Sequence, residues 1–412
     1  KWDDTRLYIG NTGYGLGHSG DIYDVHRYWG WYYNTFLTYL NMRDKAMWQN
    51  PGRVQPITFT ECVGNYTGID GRFNLCSRTK QPGSQKCWTG HLPDDEQAGA
   101  AMTYQAFVLK NATELFRRLR SQNSCLAGTM PFTIIFHNWD GVKSFAEMKP
   151  KPVAWQYQIS YQPVLLSWEN WQSQIYAGSK LAVVAHVVND DDYGNDLDEV
   201  HLQWWIEKEG EKVLAGEIDL PSVPYYGTCK RPLSIDIPQN LPSGDYMLKG
   251  EIWSKGSKVS YNESELFIAG KDWRGTEGMK KTIYVYDSSA GEQTLNCLQK
   301  LGYPVKAVRM VKELPRNSTL ILAKNSWDDS LDNQSGQLKE YVSKGGRIIC
   351  LQQDATTFNQ SWLPTSVEFL KDSNNDPVYL SPSLAYADGM NINLERPYHP
   401  VFSGLTPKQF RL

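Results

Sequence analysis

The segment from Pro56 to Asn65 places a carboxylate at the end of a short strand pattern. Ile57 and Phe59 alternate with threonines, and β-branched and aromatic residues that alternate in this way favour a β-strand. Glu61 follows at the carboxyl end of that strand, just before a turn. In a β/α barrel the carboxyl ends of the strands face the active site, whichever reaction the enzyme runs. A glutamate just past a strand is more often a solvated loop residue, so this segment alone decides neither role.

Two further strand patterns end in polar and aromatic residues. Residues 21–26 favour a strand, and His26 and Tyr28 lie two positions apart, so that both point the same way on an extended chain. An apolar strand pattern at residues 132–136 is followed by Asn138 and Trp139. Such residues at strand ends favour a site at the mouth of a barrel. A hydrogen-bonded structural histidine and a tryptophan packed in the core are the alternatives.

The composition narrows the class of partner. The chain has 412 residues and a net charge of −3, with a pI of about 6.2. This charge gives no sign of a nucleic acid or an anionic membrane as partner, and no apolar run reaches the length of a membrane span. Aromatic residues make up 13% of the chain, which suits stacking against sugar rings as well as packing in β-rich cores.

We expect neither a metal nor a cofactor. The seven cysteines show no metal-ligand spacing; Cys76 and Cys87 either pair in an oxidising compartment or remain free thiols. Residues 15–20 match the dinucleotide-binding glycine pattern letter for letter. That pattern must open a helix in order to bind a pyrophosphate. A strand pattern follows here instead, so the match is rejected.

The pattern of the chain changes twice, which predicts a multidomain protein of α/β and β regions. In residues 1–160, strands at 7–9, 21–26, 57–61 and 132–136 accompany a helix at 98–120. In residues 161–270, short strands that alternate apolar with polar residues are typical of an immunoglobulin-like β-sandwich. In residues 271–412, the spacing of strand, helix and strand predicts a doubly wound parallel sheet.

The order and spacing of these motifs resemble glycoside hydrolase family 2 over most of residues 1–270. The resemblance is carried by residues 26–32, 56–61, 136–139 and 161–167. It implies a retaining glycoside hydrolase that acts on β-glycosides, similar to β-galactosidases, by a double-displacement mechanism. It also implies that Glu61 is the nucleophile. The residues that it implies for substrate binding are His26, Tyr28, Asn138 and Trp139.

The same resemblance implies that the catalytic domain is incomplete here. The four strands of residues 1–160 are similar to strands five to eight of a (β/α)8 barrel, so this region would be the C-terminal half of that barrel. In the family, the general acid/base is the Glu of an Asn-Glu pair that closes strand four. The one such pair in this chain, Asn262-Glu263, lies in the sandwich region. We therefore expect the acid/base to lie upstream, in a longer protein.

The last region, residues 271–412, is similar to flavodoxin-like or class I glutamine-amidotransferase-like domains, which often mediate assembly. A homo-oligomer is therefore possible, and amidotransferase chemistry at Cys350 with His399 is the least favoured reading because Cys350 lies in an apolar strand pattern. We expect a carbohydrate as the partner and a periplasmic or extracellular location. The alternative function is a non-catalytic carbohydrate-binding or assembly module built from the same domains.

Overall fold

The computed structural model describes residues 5–9, 20–27, 55–62, 94–119, 126–131, 143–274, 281–354, 356–367, 400–403 and 405. The chain divides into two compact units. The first comprises Lys1–Ala269 with Pro382–Leu412, and the second comprises Gly270–Ser381. The architecture is mixed α/β with several separate sheets. Within the described ranges, no helix combines the length and the apolar character that crossing a membrane requires.

Within the described residues, the first sheet of the larger unit has three parallel strands in the order β1-β2-β3. The strands are β1 (Tyr23–Arg27), β2 (Ile57–Cys62) and β3 (Leu126–Pro131). The strand expected at residues 7–9 is present as an isolated bridge between Ile9 and Ile22. The strand expected at residues 132–136 lies outside the described residues, and β3 precedes it.

In the part of this region that the structure describes, two helices accompany the sheet. Helix α1 (Asp94–Leu119) buries Leu109, Ala112 and Phe116 at helical spacing. The ring of Phe116 stacks on that of Phe59 in β2, with 4.8 Å between the ring centroids. Helix α2 (Pro152–Ser160) packs against α1 and begins with a proline. Proline suits this place because its fixed φ is helical and the first turn needs no N–H donor from it.

Two further sheets of the larger unit pack on one hydrophobic core. The three-stranded sheet has the order β4-β6-β9 and contains β4 (Val164–Glu169), β6 (Lys180–Asn189) and β9 (Thr228–Asp236). The five-stranded sheet has the order β5-β11-β10-β7-β8 and contains β5 (Gln174–Tyr176), β7 (Val200–Lys208), β8 (Glu211–Leu220), β10 (Gly244–Ser254) and β11 (Ser257–Ala269). Apolar residues of both sheets form a single buried cluster. In β10 every second residue is buried, as the side-chain period of two requires.

Gly250 allows β4 to lie close against β10. A Cβ atom at this position would lie 2.6 Å from Cζ2 of Trp168 and 2.9 Å from Cδ2 of Leu166. Both side chains are buried. Real Cβ atoms do not approach carbon atoms this closely, so the absence of a side chain at Gly250 is a packing requirement of the core.

The smaller unit is a parallel sheet in the order β13-β12-β14-β15. The strands are β12 (Ile283–Tyr286), β13 (Val305–Ala307), β14 (Thr319–Leu322) and β15 (Arg347–Cys350), and the helices are α3 (Gln293–Lys300), α4 (Asp329–Asp332) and α5 (Ser335–Ser343). Neighbouring residues of the same strand belong to different apolar clusters. Val285 and Ile321 pack with α3, whereas Tyr286 and Leu322 pack with α5. The sheet is therefore covered by apolar contacts on both faces.

Replacing Gly250 by alanine should destabilise the larger unit by about 1–3 kcal/mol, because the added methyl group overpacks the contact with Trp168. Urea unfolding followed by tryptophan fluorescence measures the change. Gly128→Ala is the matched control, since the nearest atom to its new Cβ is Cγ2 of Thr58, at 3.8 Å. Equal midpoints for the two variants would show that β4 can move away from β10 without cost.

Candidate active site

The structure pairs Glu61 and His26 on neighbouring strands. The register of β1 and β2 sets His26 opposite Glu61 and Arg27 opposite Cys62. Glu61 and His26 are each the next-to-last residue of their strand. Because β1 and β2 are parallel, both residues lie at the carboxyl edge of the sheet. The predicted nucleophile and one predicted sugar-binding residue are therefore brought to the same edge.

A buried carboxylate joins β1 to β2 just before this edge. Asp24 is 0% exposed. One of its oxygens accepts hydrogen bonds from Thr60, from the backbone N–H at 3.2 Å and from the hydroxyl at 2.6 Å. Burying a carboxylate is costly unless hydrogen bonds compensate. Asp24 therefore fixes the residue before Glu61, which is a structural role.

The other predicted site residues are not placed by the structure. Tyr28, Asn138 and Trp139 lie outside the described residues, as do Cys76 and Cys87. For Glu61 and His26 the structure gives the strand and the register. Their roles in substrate binding and catalysis stay predictions.

Sequence reasoning missed a cluster of polar side chains around Glu114, which is 2% exposed on helix α1. Oε1 of Glu114 lies 2.8 Å from Nζ of Lys110 and accepts hydrogen bonds from Asn262 at 2.9 Å and from Ser160 at 3.2 Å. Oε2 accepts one from the hydroxyl of Ser167 at 2.7 Å. We call these five residues the Glu114 cluster. It joins α1 to α2, β4 and β11.

The Glu114 cluster keeps its carboxylate charged. Burial alone raises the pKa of Glu114 and is the largest influence, but the charge of Lys110 and the hydrogen bonds of the cluster together hold that pKa below its usual value. The sequence contains one signal for this arrangement. Lys110 and Glu114 are four residues apart, and Glu114 falls among the buried positions of the helix. Nothing in the local sequence identifies the partners from α2, β4 and β11.

Two arginines at the end of α1 extend these contacts. Arg117 donates to the backbone carbonyls of Ser160 and Gln162, both at 2.8 Å, and to Oδ2 of Asp190 at 2.9 Å. Arg118 donates to the hydroxyl of Ser167 at 2.9 Å. Basic residues in the last helical turn also interact favourably with the helix dipole. The carboxyl end of α1 is thereby attached to the segment that leads into β4.

A second partly buried pair lies in the three-stranded sheet. Nε2 of His186 is 2.7 Å from Oε2 of Glu169, whose other oxygen accepts a hydrogen bond from the indole of Trp171 at 3.0 Å. The hydrogen bond from His186 is the main reason that the pKa of Glu169 falls to about 2. Burial lowers the pKa of His186, although Glu169 opposes that change. At neutral pH a neutral imidazole therefore donates to a charged carboxylate.

In the smaller unit, a buried aspartate occupies the start of helix α3. Asp287 follows β12 and is 2% exposed. Oδ2 accepts hydrogen bonds from the backbone N–H groups of Thr294 at 2.8 Å and Leu295 at 3.2 Å. Oδ1 accepts one from the N–H of Ser289 at 3.1 Å. The carboxylate thus satisfies N–H groups that the first turn of a helix leaves without an intrahelical partner.

Cys350 is the last residue of β15, within the strand that its apolar pattern predicts, and it is exposed. Its sulfur donates a weak hydrogen bond to the carbonyl of Leu351 at 3.5 Å. Partial desolvation raises the pKa of the thiol. A raised pKa lowers the fraction of reactive thiolate, which disfavours a nucleophilic role. His399, the expected partner of such a nucleophile, lies outside the described residues.

Comparisons with known proteins find similarity in solved structures alone. No protein-family model matches the chain, and no curated protein matches it. An exo-chitosanase from Amycolatopsis orientalis aligns with a TM-score of 0.33 and 15% identity over 46% of this chain and 22% of that chain. A β-D-mannosidase from Dictyoglomus thermophilum aligns with a TM-score of 0.35 and 14% identity over 62% of this chain and 32% of that chain. The chain thus spans about a fifth to a third of these proteins, and similarity at this level assigns neither a family nor an activity.

Replacing Glu114 by glutamine should destabilise the larger unit by about 3 kcal/mol, because the charge of Lys110 stays largely buried without its counter-charge. The urea midpoint measures this loss. Asp236→Asn is the control, since Asp236 pairs with Lys180 on the surface at 2.7 Å, where both side chains are more than half exposed. The control should show no measurable change. A midpoint for Glu114→Gln equal to that of the control would contradict the structural role of the cluster.

Acidification should lower the stability of the larger unit through His186 and Glu169. Both folded-state pKa values are depressed, so their stabilisation is complete above the unfolded values and is lost as the pH falls. The unfolded state takes up the His186 proton first, starting below about pH 6.5. Urea midpoints measured from pH 7.5 to 5 should therefore decrease, at a rate of at most about 1.4 kcal/mol per pH unit for this one proton. His186→Gln should reduce the slope, and an unchanged slope would exclude this histidine as its source.

Proposed function

We propose that this chain is part of a retaining glycoside hydrolase that acts on β-glycosides, with Glu61 as the nucleophile. The observation that carries the proposal is the position of Glu61 on the central strand of a parallel sheet. There it is level with His26 and one residue from the strand's carboxyl end. Active sites of parallel α/β enzymes lie at this edge of the sheet. The motif around Glu61 supports the same assignment.

The reaction needs two carboxyl groups about 5–5.5 Å apart. In the first step a carboxylate oxygen of Glu61 attacks the anomeric carbon. The glycosidic bond breaks as a general acid gives its proton to the leaving oxygen. In the second step water attacks the glycosyl–enzyme ester, the same acid, now a base, takes up a proton from the water, and Glu61 is released. Asp24 does not suit the second role, because it is buried and accepts hydrogen bonds from Thr60. We propose that the acid/base comes from residues outside this sequence.

The remaining assignments follow from the same proposal. His26, Tyr28, Asn138 and Trp139 contact the sugar, and residues 1–160 form the C-terminal half of a (β/α)8 barrel. Residues 161–270 are an immunoglobulin-like sandwich that supports the barrel. Residues 271–412 are a flavodoxin-like domain that serves assembly, consistent with a homo-oligomer. The substrate class favours a periplasmic or extracellular location and β-galactosidase-like specificity.

Glu61→Gln in the longest natural protein that contains this sequence should abolish the turnover of chromogenic β-glycosides. The loss should come without unfolding, because an amide has nearly the volume of a carboxylate but is not a nucleophile. A 2-deoxy-2-fluoro glycoside, which slows the second step, should label Glu61 in the unaltered protein. Peptide mapping by mass spectrometry identifies the labelled residue.

Asp24→Asn is the matched control for this experiment. It should lower the unfolding midpoint while the reagent still labels Glu61, because Asp24 acts by joining β1 to β2. Labelling of another carboxylate would remove Glu61 from the role of nucleophile. Binding of the glycoside without label or turnover would favour a non-catalytic carbohydrate-binding protein instead.

A further inference from the structure

Six Asn-x-Ser/Thr sequons occur in the sequence, and one of them is buried in the structure. A sequon is the acceptor sequence for an N-linked glycan, and sequons that carry glycans lie on the surface of secreted proteins. The sequons at Asn317 and Asn333 fit this rule, because both asparagines are exposed in the smaller unit. The sequon Asn262-Glu263-Ser264 does not fit it, because Asn262 is 0% exposed on β11.

The side chain of Asn262 uses both of its polar atoms inside the protein. Its amide nitrogen donates to Oε1 of Glu114 at 2.9 Å and to the backbone carbonyl of Leu166 at 2.5 Å. Its amide oxygen accepts hydrogen bonds from Nζ of Lys110 at 2.5 Å and from the backbone N–H of Glu263 at 2.8 Å. An amide nitrogen carries two hydrogens, so both are used. Asn262 is therefore a point at which α1, β4 and β11 are joined.

Glycan transfer would change the same amide nitrogen. In that reaction the nitrogen attacks C1 of the first sugar of a lipid-linked oligosaccharide. The bond between C1 and the lipid diphosphate breaks, the bond between C1 and nitrogen forms, and one amide proton leaves. The modified amide keeps a single N–H, so it can donate to Glu114 or to Leu166 but not to both. Removing a donor from a buried acceptor is costly.

The structure also leaves no room for the sugar. Asn262 and its neighbours Leu166 and Ser167 are all 0% exposed. Protein interiors are close-packed, so a sugar ring fits here only if α1 moves away from β4 and β11. That movement would separate Glu114 from Ser167 and Asn262, which now donate to it at 2.7 and 2.9 Å. A buried charge that loses its partners is strongly destabilising.

We propose that the Asn262 sequon accepts a glycan only while the chain is unfolded, and that a glycan there prevents the larger unit from folding. In the folded protein the amide nitrogen is inaccessible, so the site is protected. The protein must therefore fold where no such glycan transfer occurs. A periplasmic or extracellular location meets this requirement when export bypasses N-glycosylation. The inference does not depend on the role of Glu61.

Secretion of the 412-residue chain from a eukaryotic cell that transfers N-glycans tests the proposal. The parent protein carries Thr67→Val and Thr113→Val. These changes remove the sequons at Asn65 and Asn111, so that Asn262 belongs to the last sequon before the smaller unit. Valine suits position 113, because the buried hydroxyl of Thr113 has no hydrogen-bond partner among the described residues.

Two matched serine-to-alanine changes are then compared. Ser264→Ala removes the buried sequon but keeps Asn262, whereas Ser335→Ala removes the exposed sequon at Asn333. Ser264→Ala should raise the yield of secreted, protease-resistant protein at least about fivefold, because abundance in cells follows the stability of the fold. Ser335→Ala should leave that yield unchanged. In the bacterial cytoplasm, where no glycan is transferred, the parent and both variants should give equal yields.

Mass spectrometry identifies the modified asparagines after enzymatic release of the glycans in heavy-oxygen water. Glycosylated Asn262 should occur only in the retained, protease-sensitive fraction of the parent. A secreted, folded protein with a glycan on Asn262 would show that the fold tolerates the modification and would refute the proposal. Equal secreted yields for the parent and Ser264→Ala would refute it as well, because the buried sequon would then have no effect on folding.

Discussion

The arrangement of the larger unit depends on one buried carboxylate, Glu114, which must be surrounded by hydrogen-bond donors. Glu114 is almost completely excluded from water, so its charge must be balanced inside the protein. The donors come from four elements. The donor residue Asn262 is 148 positions from Glu114 in the chain. Satisfying the carboxylate therefore requires α1, α2, β4 and β11 to be in place together. An apolar contact tolerates small displacements, but charged hydrogen bonds at 2.7–2.9 Å do not.

One aromatic contact links the Glu114 cluster to the candidate active site. Phe116 is two residues beyond Glu114 on α1, and its ring stacks on Phe59, two residues before Glu61. Helix α1 is thus held on one side by the β-sandwich strands and on the other by β2. The sheets formed after residue 160 therefore help to position β2, although β2 is distant from them in the sequence. The two sheets that follow residue 160 are in this way part of the scaffold that fixes the position of β2.

Sequence patterns predicted regular elements well where one face is buried. The alternation in β10 and the helical spacing in α1 both reflect a single buried face, and α1 lies close to the limits of 98–120 that its spacing predicts. Strand β3 was missed because its sequence lacks the apolar alternation, and its strand state comes from pairing with β2. The Glu114 cluster was missed for a related reason. Local sequence shows that a charge is buried, but its partners are set by tertiary packing. Cys350 lies in strand β15, as its apolar pattern predicts, but the residue is exposed, which that pattern alone does not indicate.

Asp287 has a consequence for what the smaller unit can recognise. In parallel sheets with this strand order, the crevice at the carboxyl ends of the strands is the usual place where phosphate groups of nucleotides bind, on the N–H groups of a helix start. Here those N–H groups already hold a carboxylate that belongs to the same chain. Any incoming anion competes with a tethered group, whose effective concentration is of millimolar order or higher. The N–H groups at the start of α3 are therefore already used by the chain's own carboxylate, and an incoming anion would have to displace Asp287 before it could bind them.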